Sequence, residues 1–137
     1  TFTLDTVTVN EGQTSAQVGL YISGGVANSS AYNVTIDVTS GASKINGNIT
    51  GVKDASLSGF TFVQNNPSST QYRAVLYAPN SSTTFDTTTS HKVATLTIPI
   101  SPSATAGTIG LSIANKFDAD GVTGLTGLGD SSGISLR

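Results

Sequence analysis

The sequence predicts an all-β fold, a two-sheet β-sandwich or jelly roll of about nine strands. Three observations carry that expectation. Apolar and polar residues alternate with period two along most of the chain, and no stretch has the i, i+3, i+4, i+7 spacing of an amphipathic helix. Gly, Pro, Asn and Ser punctuate the alternating segments roughly every 8–15 residues. Thr and Val fill many positions inside the segments, and branching at Cβ suits both to a pleated backbone.

Thr3–Val9 reads as the first strand. Its phase changes on the way: Phe2 and Leu4 share one face, Val7 and Val9 the other. A bulge, or a strand passing from one sheet to the other, produces such a change. Ala16, Val18, Leu20 and Ile22 give the second strand, and Tyr32, Val34, Ile36 and Val38 the third. The fourth is expected over Ile45–Val52, interrupted by Gly47 and Gly51, and the fifth over Phe60–Val63. Tyr72, Ala74, Leu76 and Ala78 make the sixth. Ala94, Leu96, Ile98 and Ile100 make the seventh, in which Pro99 argues for an edge or a strand end. Ile109, Leu111 and Ile113 mark the eighth, and Ile134 and Leu136 the ninth. No boundary, repeat or low-complexity tail divides the chain, so residues 1–137 read as one domain.

Charged residues make up 10% of the 137 residues, against a typical ~25%. The net charge of −2 offers no basic patch for phosphates, which argues against nucleic acid as a partner. No apolar run approaches the ~20 residues that span a bilayer. In place of charge the chain has 40 Ser and Thr. Such a neutral, hydroxyl-rich surface suits an exported protein, and low charge eases self-association. The chain starts at Thr1 and has no Met, so a processed chain that has lost a secretory signal is expected. Asn28, Asn33, Asn48 and Asn80 head glycosylation acceptor triplets, a pattern that nine Asn in so Ser/Thr-rich a chain also produce in part by chance.

The residues speak against an enzyme. With no Cys and one His, neither a thiol nucleophile nor a His/Cys zinc site can be built. His91 lies near Asp86 and Ser90, but no nucleophile-elbow pattern accompanies them. Glu11 sits in an Asn-Glu-Gly turn, and Asp54, Asp86 and Asp130 fall in loops, where they need no catalytic explanation. Nothing requires a cofactor. Calcium is the one candidate ligand, at Asp118-Ala-Asp120-Gly121 with Asp130 closing a loose site. A plain Asp-Gly turn explains the same residues. Stacking on sugars would fall to Tyr21 and Tyr77, whose phase points outward, while Tyr32 and Tyr72 share phase with the core.

The order of segments resembles the cohesin domains of cellulosomes and their relatives. The resemblance runs through Val7-Thr-Val-Asn-Glu-Gly-Gln-Thr, Gly24-Gly25-Val26-Ala27 and Leu57-Ser-Gly-Phe-Thr-Phe. It continues through Tyr72–Tyr77, Val93-Ala-Thr-Leu-Thr-Ile, Ala106-Gly-Thr-Ile-Gly-Leu and Lys116-Phe-Asp-Ala-Asp-Gly. Each motif is short; order and spacing carry the likeness. After the third strand the chain has Ile36-Asp37-Val38-Thr39 where the family has Tyr-Asp-Pro and a Leu. The resemblance implies a nine-stranded jelly roll outside the cell, non-catalytic, binding a dockerin-like module. Its docking surface would be a patch of outward residues on the strands at 32–38 and 70–78.

Two other functions fit the residues. One is a structural subunit of an extracellular filament or surface layer, assembled from copies of itself by exchange of the N-terminal strand, with Phe2, Leu4, Val7 and Val9 as the inserted set. An ordinary first strand of its own domain explains the same segment. The other is a carbohydrate-binding module.

Overall fold

The alternation folds into two facing sheets in the computed structural model, which describes residues 2–25, 27–80, 82–117 and 131–136, the stretches 114–117 and 131–136 by backbone alone. The strands are β1 (Phe2–Leu4), β2 (Val7–Val9), β3 (Ser15–Ile22), β4 (Ala31–Ser40), β5 (Thr50–Lys53), β6 (Thr61–Ser68), β7 (Gln71–Tyr77), β8 (His91–Pro99), β9 (Gly107–Phe117) and β10 (Ser131–Leu136). One sheet has the order β1-β3-β8-β5, the other β2-β10-β9-β4-β7-β6. All pairings are antiparallel except that of β2 with β10. The only helical turns among the described residues are two 3-10 turns, Ala42–Lys44 and Ala55–Leu57.

The core is the set that period two selects. Ala16, Val18, Leu20 and Ile22 of β3 and Ala94, Leu96 and Ile98 of β8 are buried, with Ile100 just beyond β8. They face Tyr32, Val34 and Ile36 of β4, Tyr72, Ala74 and Leu76 of β7, and Ile109, Leu111 and Ile113 of β9. Phe2 meets Tyr32 edge-on, ring centroids 5.8 Å apart.

Four boundaries differ from expectation. The first strand is two strands, one in each sheet, which resolves its phase change and raises the count among the described residues to ten. The crossing residue is Asp5. Its N–H donates to Gly19 O at 3.1 Å and its carboxylate accepts from Gly19 N at 3.1 Å. A Cβ on Gly19 would lie 2.6 Å from that carboxylate, so only glycine admits the clasp. Between Ile45 and Ile49 there is no strand, only a single bridge from Ile45 to Ile100; β5 begins at Thr50. Gly41, at φ 71°, and the 3-10 turn after it redirect the chain there. Pro99 does end β8, but β8 lies inside its sheet and not at an edge.

The fifth strand was expected to stop at Val63, yet β6 runs on through Gln64, Asn65, Asn66 and Pro67. Two of these polar residues join the sheets. Gln64 Nε2 donates to Gly51 O at 2.9 Å, and its Oε1 accepts from Gly51 N at 2.8 Å and from the Tyr72 hydroxyl at 2.7 Å. Asn66 Nδ2 donates to Ile49 O at 3.0 Å. Side-chain amides of β6 thus satisfy backbone groups of β5, an edge strand, and of Ile49 just before it that would otherwise be left unpaired.

Candidate functional site: the outer face of the six-stranded sheet

In β7 the alternation that buries Tyr72, Ala74 and Leu76 turns Arg73, Val75 and Tyr77 outward. On β6 the outward partners are Thr61, Val63 and Asn65. Register aligns them in rows: Thr61 beside Tyr77 beside Ala31, Val63 beside Val75 beside Asn33, and Asn65 beside Arg73 beside Thr35. Val63 is 52% exposed, Val75 37% and Tyr77 45%. These are three of the four exposed large hydrophobic residues among the described ones; the fourth, Val52, lies on β5 in the other sheet. Large apolar residues left in water on adjacent strands are the informative departure from a soluble surface.

A groove of about 250 Å3 runs between Asn33, Val63, Gln64, Asn65, Arg73 and Val75. Its wall at Gln64 belongs to the amide clasp, so it is held in place from beneath. Beside it, Gln71 Nε2 donates to Asp37 Oδ1 at 2.9 Å. The strands expected at 32–38 and 70–78 therefore supply most of the face. Val63 fell inside the expected fifth strand, but Asn65 was missed because the polar run from Gln64 to Asn66 disguised the rest of β6.

The other singled-out residues lie elsewhere. His91 does contact a serine, but Ser56 rather than Ser90: Nε2 lies 3.0 Å from Ser56 Oγ, and Nδ1 lies 3.0 Å from the Asp86 carbonyl. Ser56 Oγ donates at 2.6 Å to Asp54, and the Asp86 carboxylate accepts from Thr88. The serine proton is directed to a carboxylate, and no carboxylate orients the imidazole, so the nucleophile-base-orienter order is broken. Hydrogen bonds from the Ser56 hydroxyl and amide hold Asp54 below the usual carboxylate range, and those from Thr88 do the same for Asp86. Glu11 accepts from Ala106 N at 2.9 Å and ties two turns together.

Phe2, Leu4 and Val9 are buried in their own sandwich, and Val7 packs against it partly buried. Tyr21 and Tyr77 stand on different sheets, so they form no common platform for a sugar ring. Tyr21 instead directs its hydroxyl to Asp5 at 3.4 Å; burial first, then that carboxylate, raises its pKa. Asn28, Asn48 and Asn80 are exposed, whereas Asn33 lines the groove. Asp118, Asp120 and Asp130 lie outside the described residues. Among the described residues no three His, Cys, Asp or Glu side chains gather in a metal-binding group, and no helix is long and apolar enough to cross a membrane.

No family model matches the sequence, and no curated protein does. Solved structures do match. A chain of the complex between CaCohA2 and a CaDoc0917 variant, from Clostridium acetobutylicum, aligns at TM-score 0.76 and 17% identity over 99% of this chain and 98% of that one. The sixth cohesin of Acetivibrio cellulolyticus scaffoldin B, solved with a mutant Cel5 dockerin, aligns at 0.72 and 22% over 99% and 97%. The cohesin module of the Clostridium perfringens family 33 glycoside hydrolase aligns at 0.70 and 13% over 99% and 95%. A two-sheet sandwich matched end to end at such low identity gives this chain a cohesin-like β-sandwich fold.

Proposed function

We propose that this chain is a non-catalytic, extracellular protein-docking module that binds a dockerin-like partner through the outer face of β6, β7 and β4. The carrying observation is the cluster of exposed Val63, Val75 and Tyr77 on the adjacent strands β6 and β7, with the opposite face of β7 buried in the core. A rigid sheet with apolar residues at its centre and amides and hydroxyls around them has the anatomy of a protein interface. The neighbours solved with dockerins support the choice of partner class. The low charge and abundant Ser and Thr support a place outside the cell.

The test is biolayer interferometry of the immobilised chain against a panel of purified dockerin modules, with wild type and Val75→Asp side by side. Binding that weakens at least about thirtyfold in Val75→Asp, a loss of ~2 kcal/mol typical of a central hot spot, is the expected result. Binding that ignores the substitution would move the interface off this face. Absence of binding to every module would remove dockerins as the partner class.

A further inference from the structure

We infer that the docking face is built for a partner segment carrying an Asp or Glu side chain flanked by aliphatic ones, with Arg73 as the carboxylate's anchor. The inference rests on the docking reading above and specifies the partner's chemistry. Arg73 projects from the centre of the face between Asn65 and Thr35, next to the Val63–Val75 row. It is exposed and has no ion-pair or side-chain hydrogen-bond partner among the described residues. The carboxylate nearest in register on this face, Asp37, accepts from Gln71 instead. The other cations with described side chains are not on the face: Lys44 donates to Thr105, Lys53 to Ser58 and Phe60, and Lys92 lies on β8.

A guanidinium with no partner among the described residues, beside two half-exposed valines, is a place where burial by a partner strengthens a charge pair. Covering Val63 and Val75 removes water from around Arg73, and attraction grows as the local dielectric falls. The planar fork matches a carboxylate with two parallel hydrogen bonds, and the amides of Asn33 and Asn65 are placed to donate to remaining lone pairs. The groove of about 250 Å3 has room for a few side chains of a partner. With a net charge of −2 the chain does not attract acids as a whole. Recognition of a carboxylate must then be local, and one residue should control it.

The probe is a display library of randomised peptides on a small rigid scaffold, selected on the immobilised wild-type chain. Bound clones are measured against Val75→Asp, Arg73→Gln, Arg73→Lys and Arg73→Glu, each checked by circular dichroism for an unchanged sheet signal. The expected clones lose binding on Val75→Asp and are enriched in Asp or Glu next to Leu, Ile or Val. They weaken roughly tenfold or more on Arg73→Gln, less on Arg73→Lys, and an Asp→Lys change in the clone recovers binding to Arg73→Glu. Clones that depend on Val75 but show no acidic enrichment and ignore Arg73→Gln overturn this inference and leave the docking face standing. Clones indifferent to Val75→Asp overturn both. Self-association of the wild type by light scattering, abolished in Val75→Asp, makes the partner a second copy and likewise overturns the acidic-segment assignment.

Discussion

Two buried tyrosines show how one atom can separate otherwise similar positions. Tyr32 and Tyr72 both lie inside, but the Tyr72 hydroxyl donates to Gln64 whereas the Tyr32 hydroxyl has no partner among the described residues. Burial holds the pKa of both above the usual phenol range. Tyr32→Phe removes an orphaned polar atom and should leave stability unchanged or raise it by up to about 1 kcal/mol, while Tyr72→Phe should lower it by about 1 kcal/mol; urea denaturation of the two variants checks the contrast. Their burial was readable from strand phase, but the hydroxyl partner was not, because Gln64 lies on another strand. Asp54 adds a pH dependence. Its carboxylate is favoured in the folded state by Ser56, so its stabilisation is present above its ordinary 3.8 and is lost as pH falls through the lower folded value. Melting temperature should therefore fall more steeply below about pH 4 in wild type than in Asp54→Asn.

At the level of strands, the chain is organised by two clasps of a side chain on a glycine backbone. Asp5 grips Gly19 where β1 leaves one sheet and β2 enters the other. Gln64 grips Gly51 where the sheets meet at the opposite edge. A Cβ on Gly51 would lie 2.5 Å from the Tyr72 hydroxyl, so the close approach depends on glycine. Gln64→Ala strands two backbone groups and one phenol, and should cost about 2 kcal/mol in chemical denaturation with the sheet signal retained. The phase break of the first strand was legible because Phe2, Leu4, Val7 and Val9 write it in apolar residues. The extent of β6 was not, because Gln64 and Asn66 serve partners some 13 and 17 residues away in sequence. Period two detects faces, and it is silent on pairs of amides that replace a missing neighbour.

For the molecule as a whole, the sandwich class and most of the core were readable from alternation, and the order of segments pointed to the right fold. The face was readable in part, since β7 displays Arg73, Val75 and Tyr77 in plain alternation, but its other half depended on recognising β6. Val75→Asp should cost about 1 kcal/mol, since a half-exposed β-branched residue on a strand inside the sheet gives way to a poor strand former, and urea denaturation of the variant separates the binding test from misfolding. Withdrawing β1 and β2 for strand exchange would uncover Phe2, Leu4 and Val9, at roughly 2 kcal/mol each, a large part of the ~5–15 kcal/mol that holds a domain together. The clasp at Gln64 has a further consequence. A sheet's rim is normally a template that a stray chain can copy, and copying is how fibrils grow. Here the hydrogen-bonding positions at Gly51 and Ile49 are already occupied by amides of the same molecule. Crowded copies of this domain can therefore press against one another along that rim without their backbones zipping into a continuous sheet.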